Sequence, residues 1–93
     1  MPEVTVQLPG LLETCTGGKN PVTVEADTLA DTLERLFAAY PLLRPHILDD
    51  RGSQRQHVLI LFNDQNYRWF EDPAAMPVEA GAQLTILQLV SGG

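Results

Sequence analysis

The sequence predicts an α+β domain, a mixed sheet of about five strands packed on one helix. Three observations carry that expectation. Only the segment 29–40 places apolar residues at helical spacing behind a capping sequence. Several short apolar runs, bounded by Gly, Pro and Asn, have the length and period of strands. A single amphipathic helix needs a sheet face against which to bury its stripe.

Taken in chain order, Val4-Thr5-Val6-Gln7-Leu8 alternates with period two and reads as a half-buried strand. Pro9-Gly10 stops it. The segment from there to Asn20-Pro21, with Gly17-Gly18 inside it, reads as a loop. Val22-Thr23-Val24-Glu25 is a second short strand, so the chain opens as a wide hairpin. Asp27 or Thr28 caps the helix, with Asp31 three residues beyond Thr28 as in a capping box. Leu29, Leu33, Leu36, Phe37 and Tyr40 form one apolar stripe, while Asp31, Glu34 and Arg35 lie off it. Pro41 ends the helix. Leu42 to Leu48 is apolar but carries Pro45, and reads as a turn or short helical turn over the core edge. Asp49 to Gln56 is polar, contains Gly52, and is expected to be a mobile loop. Val58-Leu59-Ile60-Leu61-Phe62 is a continuous apolar strand. Asn63 to Asn66 is a turn, followed by a short edge strand at Tyr67-Arg68-Trp69-Phe70. Pro73 and Pro77 punctuate a loop, and Ala80-Gly81 turns the chain into its last strand.

The order strand, strand, helix, strand, strand, strand lets the first and last strands lie parallel at the sheet centre, because the helical segment supplies the crossover. This is a β-grasp arrangement. Val4, Val6, Leu8, Val22, Val24, Ile60, Phe62, Leu84 and Ile86 are then expected to face the helix. The alternation leaves a remainder. Leu59, Leu61, Leu87 and Leu89 fall on the sheet face that carries no helix, and an apolar cluster there is expected to be a docking site, with Val90 and Ser91 at its edge. The alternative is that Leu42 to Leu48 or a long loop covers them.

Bulk properties bound the function. The 93 residues form one small domain, expected over 1–90, followed by a flexible tail at 91–93. Twelve acidic residues against six basic ones give a net charge of −6. Nucleic acid, which wants a basic face, is disfavoured as a partner. No apolar stretch approaches the roughly 18 residues of a membrane span, so no membrane role is expected. Cys15 is the single cysteine and cannot form an internal disulfide. With no signal-peptide pattern, a cytoplasmic location is expected. His46 and His57 lack metal-ligand spacing, and no bound cofactor or metal is expected.

The remaining feature is the sequence Ser91-Gly92-Gly93 directly after the last strand. Glycine has no Cβ, so such an end can enter a narrow channel with backbone angles closed to other residues. Three extended residues reach at most about 10 Å. A terminal carboxyl, with a pKa near ~3.5, is an anion at neutral pH and a poor electrophile. No phosphate-binding pattern is present to activate it, since Gly17-Gly18-Lys19 lacks the first glycine and the spacing of that motif. Activation is therefore expected from a partner enzyme. Lys19 is the only lysine, which argues against a polymer joined through lysines.

With Leu84 to Gly93 as final strand and Gly-Gly end, Phe62-Asn63-Asp64 as the turn after the third strand, and Glu79-Ala80-Gly81-Ala82-Gln83 before the last, the chain resembles the ThiS/MoaD-type ubiquitin-like sulfur carriers over nearly its whole length. Within that family it is most similar to the CysO-like, cysteine-synthesis branch, on Leu8-Pro9-Gly10-Leu11-Leu12, Thr16-Gly17-Gly18, Asp27-Thr28-Leu29 and the insertion from Asp49 to His57. It departs at Gln88, where many carriers have Pro, and at Ala82-Gln83, where an Asp is frequent. The resemblance implies a carrier and not an enzyme. It implies that an E1-like adenylyltransferase, using ATP and Mg, adenylates Gly93, with Gly92 giving access to the channel. A persulfide or sulfide from a sulfur donor enzyme would then leave a thiocarboxylate on Gly93. The acceptor would be a sulfur-accepting biosynthetic enzyme, cysteine synthase-like or other. The alternatives are the small subunit of molybdopterin synthase, a ubiquitin-like modifier joined to lysines through Gly93, and a plain binding module.

Overall fold

The computed structural model describes residues 1–89. Its strands are β1 (Glu3–Gln7), β2 (Val22–Glu25), β3 (Val58–Phe62), β4 (Gln65–Asn66) and β5 (Ala82–Gln88), with helices α1 (Leu29–Ala39) and α2 (Arg44–Ile47). The sheet order is β2-β1-β5-β3-β4. β1 and β5 are parallel, with Val6 opposite Leu84. β2 runs antiparallel to β1, and β3 antiparallel to β5. The expected β-grasp arrangement is the observed one, and all nine residues expected to face the helix are buried.

Helix α1 starts where its cap dictates. The Thr28 hydroxyl accepts the Asp31 N–H at 3.1 Å, and the Asp31 carboxylate accepts the Asp27 N–H at 3.1 Å. This is a reciprocal cap displaced by one residue from the usual box. Leu29, Leu33, Leu36 and Phe37 are buried as the stripe requires, and Thr32 joins them with its hydroxyl donating to the Thr28 carbonyl at 2.9 Å. A buried hydroxyl on the helix is tolerated because that bond satisfies it.

Three segments differ from the sequence-based expectations. Gly10–Thr16 is a 3-10 helix and not an irregular loop; it buries Leu12 and Thr16. Its end is held by the Thr16 hydroxyl, which lies between the carbonyls of Glu13 and Lys19. Asp49 to Gln56 is a tied turn: the Asp49 Oδ1 accepts the N–H groups of Arg51 and Ser53 at 2.9 and 3.0 Å, and the Asp49 N–H donates to the Ser53 carbonyl at 2.8 Å. Tyr67–Trp69 is a 3-10 turn and not a strand. The Asn66 Oδ1 captures the Arg68 N–H at 3.0 Å, which takes that donor from any ladder and bends the chain away from β3. The edge strand is therefore only Gln65–Asn66. The 42–48 segment is helical as one of its two readings expected, with Leu43 and Ile47 buried.

The β3–β4 hairpin turns on Asn63 and Asp64, whose φ values of 50° and 81° are the left-handed pair of a two-residue turn. Asn63 also extends the sheet. Its N–H donates to the Gln83 carbonyl at 2.9 Å, and its Oδ1 accepts the Gln83 N–H at 3.0 Å. Asn20 does the same for β1 beyond its last residue. Its Oδ1 accepts the Leu8 N–H at 3.0 Å, and its Nδ2 donates to the Leu8 carbonyl at 2.8 Å and to the Glu13 carboxylate at 3.0 Å. A side-chain amide thus stands in for the missing strand partner of Leu8.

The Asn20 clasp and the Thr28 cap have measurable consequences. Asn20→Ala strands two backbone groups beside a buried leucine and is expected to cost about 1–3 kcal/mol. Thr28→Ala removes one helix cap and is expected to cost about 1 kcal/mol. Urea denaturation, with an unchanged slope and a lowered midpoint, checks both.

Candidate functional site

Strand β5 lies between β1 and β3 in the sheet order; β1 pairs with it only as far as Thr85, and its last residues run along β3. On the face away from α1, Leu87 stands opposite Leu59, and Thr85 opposite Leu61. The ladder continues one step further, where the Leu89 N–H donates to the His57 carbonyl at 2.6 Å. Alternation puts Leu59, Leu61, Leu87 and Leu89 on one face. Leu87 is 39% and Leu89 52% exposed, and Leu59 and Leu61 are half-buried. The segment 42–48 does not cover them, since Leu43 and Ile47 pack into the core with α1. The rest of this face presents Glu3, Thr5, Gln7, Thr23 and Glu25 on β1 and β2, and Gln83 and Thr85 on the first half of β5. The apolar half is therefore the half that leads to the end of β5. Val90, Ser91, Gly92 and Gly93, and with them the expected tail boundary after residue 90, lie outside the described residues.

The structure adds a feature that the chain-order reading did not isolate. A groove of about 520 Å³ is lined by Asp49, Ser53, Gln54, Arg55, Gln56, His57 and Arg68. His57 belongs both to this groove and to the edge of the leucine face. A charge pattern pointed to it: Arg44, Arg51, Arg55 and Arg68, four of the six basic residues, fall between 44 and 68 together with both histidines. Its walls come from the 49–57 turn and from the bend after β4, so no single stretch of sequence displays it.

A smaller cavity of about 190 Å³ lies on the helix side, between α1, Leu48, Gln54 and Tyr67. Burial pushes the Tyr67 phenol above its ordinary value of about 10, and the Glu34 carboxylate adds to the rise. Cys15 is half-buried against the core. Trp69, expected on the edge strand, is 74% exposed on the turn that follows β4. Among the described residues there is no group of three His, Cys, Asp or Glu placed to hold a metal ion, and no helix is long and apolar enough to cross a membrane.

Comparison with known proteins places this geometry. The model of the ThiS family matches residues 6–93. The sulfur carrier protein CysO of Mycobacterium tuberculosis is 34% identical over 92 residues, which is 97% of this chain and 98% of that protein. The crystal structure of M. tuberculosis CysO superposes with a TM-score of 0.79 at 32% identity, covering 94% of this chain and 99% of that one. A chain of the Amycolatopsis orientalis BexX/CysO complex superposes with a TM-score of 0.81 at 26% identity, covering 97% and 99%. SAMP1 of Haloferax volcanii superposes with a TM-score of 0.78 at 26% identity, covering 98% and 99%.

The raised Tyr67 value sets an alkaline limit on stability. The folded chain favours the neutral phenol, so its contribution is intact below about pH 10, where an unfolded tyrosine is also neutral, and is lost as pH rises through the higher folded value. Denaturation midpoints measured on the alkaline side are expected to fall less steeply for Tyr67→Phe. In Glu34→Gln the phenol is expected to titrate closer to the ordinary value without reaching it, because burial is the larger cause.

Proposed function

The chain belongs to the ThiS family, and from that premise we propose that it is a sulfur carrier whose Gly93 carboxylate is activated and thiolated by partner enzymes. The likeness to CysO over nearly the full length of both chains supports the carrier reading. The observation that carries the mechanism is the course of β5. A strand whose last described residues stay paired with β3 runs along the leucine face, and the sequence continues from it to Gly92-Gly93. A partner that covers Leu59, Leu61, Leu87 and Leu89 therefore meets the tail in the same encounter.

The chemistry follows from what a carboxylate lacks. Its carbon resists nucleophiles because the leaving group would be an oxide. An E1-like adenylyltransferase transfers AMP from Mg-bound ATP to the Gly93 carboxylate and releases pyrophosphate. The acyl carbon now has AMP as leaving group. Sulfide displaces AMP and leaves a thiocarboxylate directly; a persulfide displaces AMP to form an acyl disulfide, whose S–S bond a reducing thiol cleaves, leaving the same thiocarboxylate and releasing the donor's thiol. That sulfur is a nucleophile at neutral pH and passes to a biosynthetic acceptor, cysteine synthase-like or other. The domain's part is docking and orientation, which converts encounter into a near-attack geometry. Val90 and Ser91 link the docked domain to the reacting end.

A second reading, a protein modifier joined to lysines through Gly93, is favoured by the likeness to SAMP1, small archaeal modifier protein 1, of Haloferax volcanii and Methanosarcina acetivorans. Both readings share the adenylate and part only at the nucleophile.

Intact mass after incubation with ATP, Mg, a sulfur donor and the adenylyltransferase decides between them. The carrier is expected to gain the mass difference between sulfur and oxygen; an isopeptide adduct would favour the modifier. Gly92→Val, which places a β-branched side chain at the channel, is expected to show no gain while keeping the fold. Thiolation of that variant at the wild-type rate would refute the mechanism. Leu87→Asp is expected to raise KM for the carrier with little change in kcat, and to shift folding stability by no more than about 0.5 kcal/mol, because the position is already part-exposed.

A further inference from the structure

Arg55 and Arg68 are held in place by backbone, not by opposite charge. The Arg55 Nε donates to the Pro45 carbonyl at 2.8 Å, and the Arg68 Nη2 donates to the Arg55 carbonyl at 2.9 Å. Each guanidinium spends one of its five N–H donors on this anchor and keeps the rest. Among the described residues the one ion pair is Arg35–Asp31. In a chain with twice as many acidic as basic residues, two anchored cations without a carboxylate partner stand out. The acid that shares their groove, Asp49, has its Oδ1 occupied by the N–H groups of Arg51 and Ser53.

Anchored guanidiniums lose little freedom when they bind a planar anion, and their fork matches a carboxylate. Their groove is broad, with Arg68, His57 and Gln56 exposed along it. It meets the leucine face at one corner, because His57 lines the groove and pairs with Leu89. An apolar centre with a charged rim is the anatomy of a protein interface. We propose that the groove of Arg55, His57 and Arg68 is a docking subsite for Asp or Glu side chains on the surface of the enzyme that adenylates the tail. The inference rests on the carrier reading and adds the partner's chemistry to it. Leucine contacts alone could slide or rotate. A cationic rim on one corner sets the orientation in which the partner's acidic segment lies beside the end of β5, and it attracts that segment locally although the whole chain carries −6.

The test is calorimetric binding of the full chain to the E1-like adenylyltransferase of the same genome, across a salt series. Wild-type affinity is expected to fall as salt rises. Arg55→Glu/Arg68→Glu is expected to lose about tenfold or more in affinity at low salt and to show a flattened salt dependence. Arg55→Gln/Arg68→Gln keeps a donor for the two anchoring carbonyls and is expected to lose affinity to a smaller degree, with an amide NMR spectrum close to wild type. Affinity of either pair within about twofold of wild type, while Leu87→Asp still weakens binding, would overturn the subsite and leave the leucine face as the whole interface. Saturable shifts at His57 and Arg68 on titrating inorganic phosphate or AMP, together with normal enzyme binding by the Glu pair, would also overturn it and assign the groove to a phosphate. Thiolation of wild type with no effect of the arginine variants overturns only this inference. Absence of both binding and mass gain in wild type overturns the carrier reading, and this inference with it.

Discussion

The structure depends on the parallel pairing of β1 with β5. A parallel pair cannot be closed by a tight turn, so everything between residues 8 and 82 has to serve as its crossover. That requirement explains the division of the chain. The helix covers one face of the pair, and β2 and β3 close its two sides. β5 is thereby paired with β1 over Ala82 to Thr85 and with β3 over Leu84 to Gln88. Its last described residues are held on one side, by β3 and by the Leu89–His57 bond that continues the ladder.

The two faces of the sheet then divide the work. The face under α1 is filled by Val4, Val6, Ile60, Leu84 and Ile86, all fully buried. Among the described residues no helix covers the opposite face, and its composition changes from Glu, Thr and Gln on β1, β2 and the start of β5 to Leu on β3 and the end of β5. The period-two alternation of a strand makes this split unavoidable: burying Ile60 and Ile86 turns Leu59 and Leu87 outward. The apolar outer residues sit beside the end of β5, which is where the proposed tail-processing partner would approach.

How much of this was legible in the sequence depended on whether a single period carried the signal. The inward set was legible because alternation and the helical stripe both pointed to the same core. The leucine face was legible as the remainder of that assignment. The 3-10 helix at Gly10–Thr16 was not, because Leu12 and Thr16 are only two inward residues and make no repeat. Tyr67 to Phe70 misled, because aromatic content suggested a strand while the Asn66 side chain took the backbone donor that pairing would have needed. The gathering of cations between 44 and 68 was visible in the sequence, but which of them share a groove was not, because Arg55 and Arg68 come from separate turns joined by an arginine–carbonyl bond across 13 positions. The tail residues, which the sequence singled out, lie past the described part of the fold.

The amide that completes β1 has one further property. Asparagine side chains age in water by losing ammonia when the next backbone nitrogen attacks the side-chain carbonyl. Asn20 is followed by Pro21, whose ring nitrogen bears no hydrogen and cannot complete that cyclisation. The product of such ageing would set a carboxylate against the Leu8 carbonyl and the Glu13 carboxylate, turning two attractive contacts into repulsive ones. The residue that follows the clasp thus closes that route of deamidation to it, and the end of β1 keeps its amide partner against it.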